Sequence, residues 1–219
     1  MSKIIAHFLH IRKTGGTAVK YALRNVYETE KYILRLHPHD TRLCDIPVGE
    51  KAFFFLRDPS TRYVSGFNSR LRRGWPRYNS RWSDGEEVAF RYFTSADELA
   101  RALFEEGNAK KREEARYAIS NIRHINQGYF YWFDSIQYFL SRINDVLFFG
   151  FQESLNEDFY KLKDLLGLDS SIGLPQSDFD SHKTPSNYNI SLSTKAVKNL
   201  KRWYKSDYKF LTFCKNIKV

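Results

Sequence analysis

The chain of 219 residues carries 35 lysines and arginines against 25 aspartates and glutamates, a formal net charge of +10, with 42% hydrophobic and 16% aromatic residues. That length supports one well-buried core, the composition excludes a disordered chain, and the charge favours an anionic partner: nucleic acid, a polyanionic glycan, an anionic membrane or a phosphorylated cofactor. Cys44 and Cys214 lack metal-type spacing and read as two free thiols, and no run has the look of a secretory signal or a membrane span, so a cytoplasmic location is expected.

Ile4 to Leu9 is an apolar run that reads as a buried strand, and Ala18 to Leu23 opens a helix. Between them stands His10-Ile11-Arg12-Lys13-Thr14-Gly15-Gly16-Thr17. Strand, glycine turn, helix is an arrangement that binds phosphate. Glycines let the backbone curl with its N–H groups inward, and the helix N-terminus adds partial positive charge. Lys13 brings a mobile cation; Thr14 and Thr17 bring hydroxyls. The pattern is not the nucleotide-triphosphatase loop, where Lys and Ser/Thr follow the last glycine. Here Lys13 precedes both glycines.

Lys31 to Leu36 is a second strand, and His37-Pro38-His39-Asp40 follows it. Lys51 to Leu56 is a third, followed by Arg57-Asp58-Pro59 and a helix over Ser60 to Leu71 with proline in its first turn. Arg57 then sits at the C-terminal edge of a strand, where open α/β sheets bind ligands, with Ser65 on the next helix. From Pro59 to Ser83 there is no acidic residue, while Arg62, Arg70, Arg72, Arg73, Arg77 and Arg81 interleave with Trp75, Tyr78 and Trp82. Such a stretch suits an acidic glycan and equally a nucleic acid strand. Gly74 to Gly85 reads as a loop, and Ser95 to Leu140 as mostly helical, opened by a capping-box pattern at Ser95 and Glu98. Asp145 to Phe151 is a fourth strand capped by Gly150, and Asn156 to Leu166 an amphipathic helix ended by Gly167. Ser170 to Asn189 is irregular, and Ser193 to Phe213 reads as one long helix. The alternation is α/β, organised as a single domain over 1–219 with a helical and loop insertion near 70–142 that faces the acceptor.

Lys13-Thr14-Gly15-Gly16-Thr17 resembles the 5′-phosphosulfate loop of the sulfotransferases, most closely the glycan (heparan/chondroitin-type) 2-O branch. Arg57-Asp58-Pro59 with Arg62 and Ser65 resembles that family's 3′-phosphate motif. Arg12 stands where the family usually has proline. The resemblance implies a P-loop-like parallel sheet flanked by helices. It also implies 3′-phosphoadenosine 5′-phosphosulfate as donor, 3′,5′-adenosine bisphosphate as product, and no obligatory metal. By the same resemblance Arg12, Lys13, Thr14, Gly15, Gly16 and Thr17 hold the 5′-phosphosulfate, Arg57 and Ser65 the 3′-phosphate, and Lys183 closes over the nucleotide.

The acceptor hydroxyl needs a base, and histidine suits neutral pH. The glycan branch carries a similar His-x-His element between its two anchor motifs. His39 is therefore expected as base, with His37 assisting, and Lys13 as the cation that stabilises the leaving phosphate. Arg70, Arg73, Trp75 and Arg77 are the expected acceptor contacts. His7 reads as core-adjacent, and His10 as a residue that could approach the donor but is more simply structural. The expected partner is a glycan or other hydroxyl-bearing acceptor, acidic in character, rather than nucleic acid. A nucleotide-dependent kinase on the same fold and a non-catalytic polyanion binder are the competing readings.

Overall fold

The computed structural model describes residues 2–217. In chain order the elements are β1 (Ile4–Leu9), α1 (Gly16–Leu23), β2 (Tyr32–Leu36), β3 (Lys51–Leu56), α2 (Pro59–Leu71), α3 (Asp84–Tyr92), α4 (Ala96–Ala102) and α5 (Ala109–Asn121). Then come α6 (Phe130–Phe133), α7 (Ile136–Ser141), β4 (Val146–Phe151), α8 (Leu155–Leu166), α9 (Thr194–Trp203) and α10 (Lys205–Asn216). They fall into two compact units. The first holds the residues up to Arg57, Tyr129–His182 and those from Phe210 on; the second holds Asp58–Gly128 and Lys183–Lys209.

The first unit is built on one sheet in the order β2-β1-β3-β4, parallel throughout. Parallel strands are buried on both faces and so read as unbroken apolar runs, as Ala52-Phe53-Phe54-Phe55-Leu56 does. Pleating divides that run. Phe53 and Phe55 join Ala6, Phe8, Val19, Leu23, Phe159, Leu162 and Leu166 on one face, under α1 and α8. Phe54 and Leu56 join Leu9, Ile11, Trp132, Phe133, Phe139, Phe210 and Leu211 on the other, under α6, α7 and the end of α10. Each such side chain taken from water contributes about 1.5–3 kcal/mol. This is the α/β, P-loop-like parallel sheet flanked by helices.

Gly150 is not a cap but an interior residue of β4. A Cβ there would stand 2.6 Å from Phe55 Cε1 and 2.8 Å from Asp158 Cβ, so only glycine lets α8 close on the strand. Gly167 does end α8, in the left-handed conformation at φ +65°.

The second unit is helical. Tyr63, Val64 and Phe67 of α2 pack with Ala89, Phe90, Leu99, Leu103, Ala118, Ile119, Ala196 and Leu200 from α3, α4, α5, α9 and their margins. Its helices start at polar caps: Asp58 accepts from the N–H groups of Ser60 and Thr61, and Ser83, Ser95, Asn108 and Ser193 cap α3, α4, α5 and α9.

The expected single C-terminal helix is two. α9 stops at Tyr204, whose hydroxyl donates to the Ile125 carbonyl at 2.6 Å, and α10 begins at Lys205. The apolar period runs through Ala196, Leu200, Tyr204, Leu211 and Cys214 without a glycine or proline, so the sequence carries no sign of the break. The burial does: Ala196, Leu200 and Tyr204 belong to the second unit's core, Leu211 and Cys214 to the first's.

Candidate active site

The segment between β1 and α1 is built by two left-handed residues, Lys13 at φ +66° and Gly15 at φ +88°. Glycine takes that conformation freely; lysine does not, and the packed surroundings hold it there. Gly15 lies against α8, where a Cβ would stand 2.9 Å from Leu155 Cδ2. Gly16 lies against His10, where a Cβ would stand 2.1 Å from the ring. Thr14 is buried, and its hydroxyl donates to the Ile11 carbonyl at 3.0 Å, tying the turn together.

No side chain caps α1, and its first turn carries no carboxylate. The leading N–H groups and the positive end of the helix dipole suit an anion from outside the chain. Arg12, Lys13 and Thr17 are half-buried around this turn. This donor set fits a phosphosulfate. Arg57 comes to the same edge of the sheet: its Nη1 donates to the Lys13 carbonyl at 3.3 Å. Tyr129 fixes the Arg57 backbone, accepting from its N–H at 2.9 Å and donating to its carbonyl.

Four histidines line the ends of β1 and β2. His39 Nδ1 donates to the His10 carbonyl at 3.0 Å; a carbonyl only accepts, so His39 carries its proton on Nδ1 and its lone pair on Nε2. The His10 and His39 rings lie 3.8 Å apart. Burial, with His39, Lys20, Lys13 and Arg12 nearby, lowers His10 to about 2. Burial, with Arg12, Lys20 and Lys13, lowers His39 to about 4 against the opposing bond to His10. Burial also lowers His37, and Lys20. His10, His37 and His39 are neutral at pH 7. Beneath His37, His7 is buried and bonds His37 at 2.7 Å and Glu50 at 2.6 Å.

Lys20, Glu50 and Tyr129 are the groups that sequence reasoning missed, and His10, read from sequence as structural, stands against Gly16 and His39. Lys20 had a signal, standing one helical turn after Gly16. Glu50 and Tyr129 are brought in by topology alone.

Ser65 and Lys183 belong to the second unit, Ser65 half-buried on α2 and Lys183 exposed. Arg73, Trp75 and Arg77 lie between α2 and α3. Arg73 is exposed with its guanidinium 4.5 Å from the Trp82 ring centre, Trp75 is 60% exposed, and Arg77 donates to the Tyr78 hydroxyl at 3.2 Å. Arg70 differs from these and is withdrawn as an acceptor contact. It is buried, and its fork donates to both oxygens of fully buried Glu86, at 2.6 and 2.9 Å, and to the Arg81 carbonyl. The acid-free stretch ends just short of the carboxylate that neutralises it. Arg62 is likewise structural: it donates to the Gln127 carbonyl at 2.6 Å and to Asp207 at 3.2 Å inside the second unit.

Among the described residues no helix is long and apolar enough to cross a membrane. A search of curated proteins finds no match. The family model described as sulfotransferase family matches residues 5–214, nearly the whole chain and both motif segments. The chain belongs to the sulfotransferase family.

Proposed function

We propose that the protein moves the sulfuryl group of 3′-phosphoadenosine 5′-phosphosulfate onto an acceptor hydroxyl, that of a carbohydrate, in the manner of the glycan 2-O branch. One observation carries the reading: the Arg57 guanidinium meets the Lys13 carbonyl, which supports a common anion site for these two residues. Lys13 and the N–H groups of Thr14, Gly15, Gly16 and Thr17 hold the 5′-phosphosulfate, with Arg12 beside them; the Thr14 hydroxyl, expected as a donor, is instead committed to the Ile11 carbonyl. Arg57 holds the 3′-phosphate.

When bound, the donor supplies an activated sulfonate on a phosphate leaving group. The Lys13 ammonium and the uncapped N–H groups stabilise the charge that grows on the leaving oxygen. A histidine of the His37-Pro38-His39 element takes the acceptor proton, and both are neutral and able to accept it. Arg73 and Arg77 pair with acidic groups of the acceptor, and the Trp75 face stacks on a sugar ring.

A thermal-shift series tests the reading. At a hundred times its Kd, 3′,5′-adenosine bisphosphate stabilises the native chain by about 2.7 kcal/mol. It is expected to do so without magnesium, and Lys13→Ala and Arg57→Ala are expected to weaken the effect. A response to magnesium-ATP in its place overturns the proposal in favour of a kinase; a response to polyanions alone overturns it in favour of a binding protein.

A further inference from the structure

Behind His37, one of the two candidate bases, Glu50 and His7 form a line of groups that the proposed chemistry has not used. His7 lies on β1, on the face of Leu9, with Ala52 of β3 as its register partner. Glu50 stands just before β3, and His37 just after β2. The His7 and His37 rings are nearly coplanar, with an interplanar angle of 10° and centres 5.0 Å apart, so the 2.7 Å bond between them lies in the ring planes.

Glu50 accepts, so His7 donates from Nε2, at 2.6 Å from Glu50 Oε2. The arrangement in which His7 accepts at Nδ1 from His37 Nε2–H leaves the lone pair of His37 on Nδ1. His7 is buried and Glu50 half-buried, so the line is held by packing rather than by a mobile surface pair.

Resting on the sulfotransferase reading, we propose that His37 is the base and that Glu50 and His7 are positioning residues that hold it in its base-competent tautomer. As the acceptor oxygen's electron pair forms the bond to sulfur, the sulfur–oxygen bond to the leaving phosphate breaks with its pair on that oxygen. The hydroxyl proton passes to His37 Nδ1. His37 Nε2–H stays donated to His7, whose Nε2–H stays donated to Glu50, so the new imidazolium faces a carboxylate through one intervening ring. His39 is held differently: its Nδ1–H donates to the His10 carbonyl, and Arg12, Lys20 and Lys13 lie near it. Its role becomes that of orienting the acceptor.

His37 is faced by His7 from β1, Lys20 from α1, Arg35 of β2 and Asp45 of the 3-10 turn before β3. Burial and the first three lower it, and Asp45 opposes them. A base with a depressed affinity for protons gains most from a braced tautomer.

Long-range ¹H–¹⁵N spectra of the histidine rings, taken on the full chain with 3′,5′-adenosine bisphosphate, test this without an acceptor. Wild type is expected to show His7 and His37 as Nε2–H tautomers and His39 as Nδ1–H. Glu50→Gln is expected to lower the His37 titration midpoint by about one pH unit and to mix its tautomers. Glu50→Asp is expected to restore both in part, with bisphosphate affinity unchanged throughout. His37 in the Nδ1–H form in wild type, a measurement that needs no variant, overturns the proposal. So does an unmoved midpoint in Glu50→Gln. Failure of wild type to bind the bisphosphate removes the donor reading itself, and is seen separately from the ring signals.

Discussion

Gly16 has no room for a side chain because His10 occupies the place, and His10 cannot retreat because Phe8 and His39 stack against it. Gly16→Ala is expected to cost about 1–3 kcal/mol, read as a lower denaturation midpoint in urea at unchanged m-value. The same rings predict an acid response. His10 falls to about 2 and His39 to about 4, both below the unfolded value of 6.5. Between the folded and unfolded values the unfolded chain binds more protons, so the stability present above pH 6.5 drains away as pH falls. Each ring contributes up to about 1.4 kcal/mol per pH unit. Melting temperature should therefore decline from pH 7 to pH 4, and His39→Phe should flatten the slope. The turn and its neighbour were legible at this scale, since Lys13, Gly15, Gly16 and Arg57 stand out by type and order and come together at one edge of the sheet. The histidine partners were not: hydrogen bonds such as His7 to Glu50 join residues distant in sequence, and no local pattern marks them.

Elements follow the same division. The four strands stand where their apolar runs begin and end, because a parallel strand buried on two faces leaves no other reading of Phe53-Phe54-Phe55. Helix starts were legible at Pro59 and at Ser95 with Glu98, while the equally local caps at Ser83 and Asn108 were not read. The junction of α9 and α10 was not, because its cause is the Tyr204 hydroxyl reaching Ile125 rather than any feature of residues 200–208. α2 and α3 are joined by a charge pair of the same kind. Glu86 of α3 is fully buried between Arg70 of α2 and Arg123, and accepts from both. Removing its charge leaves Arg70 buried without a counter-ion. Glu86→Gln is expected to lose about 3–5 kcal/mol, measured by chemical denaturation.

The whole molecule carries a net charge of +10, although several arginines are spent internally on Asp207, Glu86 and Asp145. Capture of an acidic acceptor by such a surface is steered at long range and screened by salt. Transfer rates to an acidic glycan should fall steeply between low and physiological salt, while affinity for the bisphosphate, gripped at short range, changes little. Stopped-flow association at graded salt checks both. The chain leaves the sheet-bearing unit after Arg57 and rejoins it at Tyr129, and the Tyr129 hydroxyl ties those two points together. A detour whose mouth is already fastened can be lengthened at little cost, because closing a longer loop adds only a logarithmic penalty. Extra residues in the exposed turn at 106–108 are therefore expected to leave the sheet standing, so long as the tyrosine knot and the arginine it fastens are kept, whereas removal of the whole segment would strip α9 of the core it shares with α2 to α5.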